Sequence, residues 1–148
     1  INLSSNSAIG SETGSTLTLN TALTQTTTNT TLTKVGEGEV IMTGAANTYN
    51  GTTTVAEGTL SLNKPTTDGA ILGNLIVGNG TGTAQVTLLA DNQIVNTSAV
   101  TVNTDGTLNN NDRTETIGAL TIPGGTVLTG GDTGINGVLT IASLNMTG

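Results

Sequence analysis

The chain contains no cysteine, tryptophan, phenylalanine or histidine, and Tyr49 is its only aromatic residue. Without histidine or cysteine, the Ser-His and Cys-His pairings of nucleophilic catalysis cannot be assembled. Any metal site is limited to oxygen ligands. The lack of cysteine is compatible with export but does not demand it. Basic residues are almost absent: Lys34, Lys64 and Arg113 stand against ten acidic residues, for a net charge of −7. A nucleic-acid partner would need a basic footprint, so none is expected. The polybasic route to anionic membranes is missing too. No apolar run approaches the length of a spanning helix, so no membrane insertion by this segment is expected. The chain begins at Ile1 without Met or a signal-peptide pattern, and reads as a processed product or an internal piece of a longer protein.

What is present points to strands. Threonine makes up roughly a quarter of the residues, a strand-forming composition. Val, Leu, Ile, Ala and Thr must fill the interior in place of aromatics, so the interior must be thin. Abundant Thr, Gly, Asn and Ser is also a disorder composition, but regular alternation of Val and Leu argues against that reading. The length suits a single domain over residues 1–148.

The organising stretch is Leu32–Leu62, LTKVGEGEVIMTGAANTYNGTTTVAEGTLSL. Glycines Gly36, Gly38, Gly44, Gly51 and Gly58 punctuate short runs in which Val40 and Met42, then Thr53 and Val55, then Leu60 and Leu62 alternate. Period-two spacing over so few residues marks half-buried strands, bounded here by turn pairs such as Asn50-Gly51. Three brief strands joined by sharp corners fit one or more coils of a solenoid, or an antiparallel meander.

Elsewhere the rhythm varies. Residues 1–15 have poor alternation and read as frayed or as an irregular first coil. Leu17 and Leu19 alternate properly, and a Thr-rich piece follows. Residues 63–69, with Pro65 and no apolar side chain, read as a surface loop between coils. Leu75 and Val77, Val86 and Leu88, Val100 and Val102, then Leu108 after Gly106, should point inward. Asn109, Asn110 and Asn111 suit a tight corner, and asparagines stacked there in successive coils are expected to form an internal ladder. Ile117 and Leu120, then Leu139 and Ile141, complete the expected core.

The order Leu32, Lys34, Gly36, Gly38, Val40, Met42, Gly44, Asn47, Tyr49, Gly51, Thr53, Thr54, Val55, Gly58, Leu60, Leu62 resembles the autotransporter-associated β-strand repeat, a passenger-associated repeat of bacterial autotransporters. Thr116, Ile117, Gly118 and Leu120, followed by Gly124 and Gly125, are similar to the later part of such repeats. Ile41, where a polar outward residue is usual, and Thr52, where a second glycine is common, depart from the pattern. The resemblance implies an all-β, right-handed parallel β-helix (β-solenoid). Strand-turn units spaced every 8 to 12 residues or so fit either a sandwich or a solenoid. The missing aromatic core and the phrase Gly-x-Leu-x-Leu, recurring approximately at Gly58, Gly106 and Gly137, favour the solenoid. At roughly 20 to 25 residues per coil, the chain makes about six to seven coils, a rod of about 30 Å.

Candidate sites are few. Glu37 and Glu39 lie two apart, read as sharing one strand face, and are the best carboxylate pair for acid-base cleavage of glycosides; a solvated edge is the simpler reading. Asp105, Asp112 and Asp132 sit beside Gly or Asn, where turns favour Asp. A Ser-Lys pair through Lys34 or Lys64 has no identifiable partner. Gly130–Gly134 is a poor copy of the calcium nonapeptide and does not recur. Gly78–Gly82 lacks the Lys and helix of a phosphate loop. Asn-x-Ser/Thr triplets arise by chance in such a composition. No catalytic, cofactor or metal site is expected.

Two functions remain. The first is a structural stalk or scaffold of an exported surface protein, its partners being neighbouring coils of a longer chain or identical subunits stacked head to tail. The second is an adhesin presenting loop 63–69 to glycans or host proteins. The resemblance implies the extracellular or outer-membrane surface of a Gram-negative-type bacterium.

Overall fold

The computed structural model describes residues 1–131 and 137–147. The first coil carries β1 (Asn2–Leu3), β2 (Ser7–Gly10) and β3 (Thr16–Asn20); the second carries β4 (Thr24–Gln25), β5 (Leu32–Val35) and β6 (Glu39–Thr43). Later coils keep two strands each: β7 (Thr53–Val55) with β8 (Gly58–Leu62), β9 (Leu75–Val77) with β10 (Ala84–Leu88), and β11 (Val100–Val102) with β12 (Gly106–Asn109). Then come β13 (Thr114–Ile122), β14 (Thr126–Leu128) and β15 (Val138–Met146).

These strands form a 7-stranded sheet in the order β15-β13-β11-β9-β7-β5-β2 and a 6-stranded sheet in the order β14-β12-β10-β8-β6-β3. Every strand pair is parallel, including the short β1-β4 sheet on the third side. No helix occurs among the described residues. Leu32 pairs with Thr53, Thr53 with Leu75, Leu75 with Val100 and Val100 with Leu120, steps of roughly 20 to 25 residues per coil. The architecture is a β-solenoid of about six turns, and an antiparallel meander is excluded.

Register turns alternation into columns. Leu17, Val40, Leu60, Val86, Leu108 and Val127 stack in one inward file of the six-stranded sheet, and Leu19, Met42, Leu62 and Leu88 in the next. In the facing sheet Val55, Val77 and Val102 stack beneath Lys34. Each large aliphatic buried this way contributes roughly 1.5–3 kcal/mol. Outward, Thr33 meets Thr54, and Thr101 meets Thr121, with Ile76 between the two pairs.

Several expectations need correction. Of the two readings of residues 1–15, the first coil holds and fraying does not, because β1 and β2 take their backbone partners from β4 and β5 rather than relying on their own alternation. Leu139 and Ile141 face the core but are only half-buried, since β15 has a strand neighbour on one side alone, β13. Gly58 and Gly106 open strands of the same sheet, whereas Gly137 precedes β15 of the other, so the recurring phrase does not mark one corner. The corner at Asn109–Asn111 is no stack of asparagines. Buried Asn110 donates to the Arg113 carbonyl, and Asn111 reaches one coil back to the Leu88 carbonyl at 3.0 Å. Asp132 lies outside the described residues, as do Thr133 and Gly134.

Candidate functional site

The third side of the solenoid lacks a continuous sheet, so its backbone groups need other partners. Side chains supply them. Asn47 Oδ1 accepts the Leu23 N–H at 2.8 Å while its Nδ2 donates to the Ala70 carbonyl at 2.8 Å, joining the coil before to the coil after. Gln93 Oε1 accepts the Lys64 N–H at 2.7 Å, and its Nε2 returns to the Lys64 carbonyl at 3.0 Å. Glu115 Oε2 accepts the N–H groups of Gln93 at 2.6 Å and Ile94 at 3.2 Å. Burial pushes the Glu115 carboxyl above its ordinary value against these N–H bonds, and the charge of Asp68 adds to the rise. Tyr49, fully buried on the same side, shares a 2.6 Å hydrogen bond with Thr53, and burial raises its phenol to about 12.

Two lysines are also interior. Lys34 follows the parity of Leu32 into the core, where its Nζ donates to the carbonyls of Gly36, Gly38 (2.7 Å) and Glu57 (2.9 Å). Gly58 makes this possible. Its φ is +65°, and a Cβ there would stand 2.5 Å from Lys34 Nζ and from the Gly36 and Gly38 carbonyl oxygens. Desolvation lowers the Lys34 pKa, with the charge of Glu57 acting upward. Lys64 is 1% exposed and spans three corners, donating to the carbonyls of Thr43 (2.6 Å), Ala45 (2.8 Å) and Thr21 (2.9 Å). Burial brings its ammonium down to about 8. Residues 63–69 are thus not simply a surface loop. Pro65, Thr66 and Thr67 are exposed, but Lys64 roots the segment in the coils beneath.

The expected corner glycines occupy tight or left-handed positions. Gly36 and Gly44 have positive φ, Gly38 and Gly106 lie against backbone oxygens, and a Cβ on Gly51 would meet the Thr30 carbonyl at 2.1 Å. The expected inward residues Val40, Met42, Val55, Leu60, Leu62, Leu75, Val77, Val86, Leu88, Val100, Val102, Leu108, Ile117 and Leu120 are all buried. Ser61, on the parity opposite to Leu60 and Leu62 and so on the outward face, is nevertheless only 2% exposed and donates to Glu39 Oε1 at 2.5 Å.

A groove of about 310 Å³ runs beside the six-stranded sheet, lined by Glu37, Gly58, Thr59, Thr83, Ala84, Gln85, Asp105 and Thr107. Glu37 and Glu39 do not share a strand face. Glu37 sits in the Gly36–Gly38 turn and accepts from Thr13, whereas Glu39 opens β6 and binds Ser61. Partial burial acts upward on Asp105, yet the N–H groups of Gly80 and Asn79 outweigh it and hold its carboxyl below the ordinary value. A carboxyl so held is ionised and cannot act as a general acid near neutrality. Among the described residues, no cluster of three or more His, Cys, Asp or Glu is placed to hold a metal ion.

Parallel coils, inward columns and carbonyl-capped lysines define a β-solenoid built by stacking repeats. Residues 32–62, which span β5 to β8, match the passenger-associated-transport-repeat, an autotransporter passenger repeat family. No curated protein and no solved structure matches the chain. Repeat and fold together suggest a passenger segment of an exported surface protein, and the repeat family implies a Gram-negative bacterial surface.

Proposed function

We propose that this chain is a structural stalk or scaffold segment, without catalytic activity, whose partners are further coils. Those coils belong to a longer chain or to identical subunits stacked head to tail into a filament. One observation carries the reading: the inward polar side chains Lys34, Lys64, Asn47, Gln93 and Glu115 are spent on backbone groups of their own and neighbouring coils. Polar groups with a catalytic role line a cleft that substrate can enter, whereas the shifted Lys34, Lys64 and Glu115 are all buried against backbone. Among the described residues β15 has a strand neighbour only in β13, so further coils, of a longer chain or of another copy, would continue the sheet there. Val138, Leu144 and Met146 are exposed on that strand, and an unpaired edge is a template for another strand. Such a contact is heterologous and does not close, so repetition gives a fibre.

The test is sedimentation velocity and electron microscopy of these residues at micromolar concentration, beside a panel of polysaccharide substrates. Elongated oligomers that grow with concentration and no turnover are expected. A folded monomer that never elongates overturns the open-edge argument, and hydrolysis of any substrate overturns the non-catalytic one.

The adhesin reading rests on Pro65, Thr66 and Thr67, which project from a segment rooted by Lys64. Glycan-array binding that vanishes when Pro65–Thr67 is exchanged for Gly-Ser-Gly would favour it over the stalk.

A further inference from the structure

Three Asn-Gly pairs occur: Asn50-Gly51, Asn79-Gly80 and Asn136-Gly137, the last partly outside the described residues. Glycine leaves its own nitrogen unshielded, so that nitrogen can approach the preceding asparagine's side-chain carbonyl. The structure separates the first two pairs. Asn50 Oδ1 is held by Gln25 Nε2 at 2.7 Å and by the Asn29 N–H at 2.9 Å, and Gly51 is buried against the Thr30 carbonyl. Asn79 and Gly80 are exposed, with Gly80 at φ +94° and nothing within 4 Å of its Cβ position.

Three groups converge on the second pair. The Gly80 N–H donates to Asp105 Oδ1 at 3.0 Å, while the Asn79 N–H donates to Oδ2 of the same carboxylate at 3.0 Å. Asn79 Oδ1 accepts both the N–H and the hydroxyl of Thr81, each at 2.9 Å. The nucleophilic nitrogen therefore faces a carboxylate base, and the electrophilic carbonyl faces two donors.

We propose that Asn79-Gly80 is a self-modifying site, at which Asp105 acts as general base and Thr81 as oxyanion donor for conversion of Asn79 to isoaspartate. The Gly80 nitrogen bonds to Asn79 Cγ as Asp105 removes its proton, and the charge that develops on Oδ1 is held by Thr81. The tetrahedral intermediate collapses, the Cγ–Nδ2 bond breaks, and the proton on Asp105 leaves with the amide group as ammonia. Water then opens the cyclic imide at either carbonyl, giving isoaspartate or aspartate. No redox change occurs, and water is the only co-reactant. The product places a second carboxylate beside Asp105, in the loop whose N–H groups hold it. Like charges there loosen the Gly78–Gly82 loop at the edge of the groove.

The folded chain is incubated from mildly acidic to mildly alkaline pH and mapped by enzymatic isoaspartate methylation and mass spectrometry. Conversion is expected at Asn79 and not at Asn50. Because Asp105 stays ionised, the folded rate should be nearly flat with pH up to about neutrality, unlike the hydroxide-proportional rate of the urea-unfolded chain. Asp105→Ala should slow conversion at least about tenfold, and Thr81→Val should slow it several-fold. A rate strictly proportional to hydroxide in the folded chain, conversion of Asn79 undiminished in Asp105→Ala, or equal conversion of Asn50 overturns the proposal. The pH profile needs no variant, so it decides even if a substitution disturbs the loop.

Discussion

Gly58→Ala tests whether the Lys34 cage governs the repeat's stability. The new methyl would stand 2.5 Å from Lys34 Nζ and from the Gly36 and Gly38 oxygens, in a backbone conformation of φ +65°. Left-handed backbone costs an alanine about 1–2 kcal/mol. Displacing the ammonium weakens charge-assisted hydrogen bonds worth about 1.5–3 kcal/mol each. Partial relaxation leaves an expected loss of about 4 kcal/mol, or a fall in Tm of roughly 10 °C. Gly14→Ala is the matched control, because at φ +74° it has similar backbone strain but open space, and it should cost only about 1–2 kcal/mol. Urea melts followed by Tyr49 emission provide the assay, since no other fluorophore is present. Adding Lys34→Met to the Gly58→Ala chain should give non-additivity of at least about 1 kcal/mol. If Gly58→Ala costs no more than Gly14→Ala, the cage does not limit stability and the reasoning fails.

The remaining predictions concern the core and pH. Val55→Asp places an unpaired charge at a fully buried site and should cost several kcal/mol; Ser61→Asp should also destabilise, because its carboxylate would face Glu39. Melts showing Ser61→Asp unchanged would put Ser61 back on the solvent face. For Lys64 the folded pKa of about 8 lies below the ordinary lysine value of 10.5, so the cost of burying the ammonium is full below pH 8 and is relieved as pH rises toward 10.5. Tm relative to Lys64→Met should therefore rise across that window, and a flat difference would mean that the three carbonyls cancel desolvation. Glu115 has the opposite sense: its folded pKa is raised, so stability present below the unfolded value is lost as pH rises through the folded one. Glu115→Gln should flatten that limb of the Tm profile.

Much of the fold was legible because parity is a local property. Val40 and Met42, or Val100 and Val102, announce their inward faces within five residues, and the register carries them into columns. Lys34 was legible by the same parity with Leu32, but its charge masked an interior role that only the opposing Gly58 explains. Lys64 was not legible, since it lies in a segment without alternation and its three acceptors are 19 to 43 residues away. For the first coil the sequence left fraying open for a related reason: its order comes from the ladder that its neighbour offers. Ser61 follows the outward parity of Ile41, and only the cross-strand reach of Glu39 covers it. The groove at Asp105 needed four segments distant in sequence, so no spacing could reveal it.

Lys64 has a mechanical consequence. Under tension from its two ends, a stack of parallel coils yields by peeling at an edge, and each coil of roughly 20 to 25 residues releases about 70–80 Å of slack. Most neighbours are joined only to the next coil, so coils away from Lys64 should leave one at a time. The ammonium of Lys64 ties its own coil to the carbonyls of Thr21, Thr43 and Ala45, binding successive corners as one unit. In a force-extension trace the coils around it should leave as a single larger step, so one lysine sets the grain at which the rod comes apart.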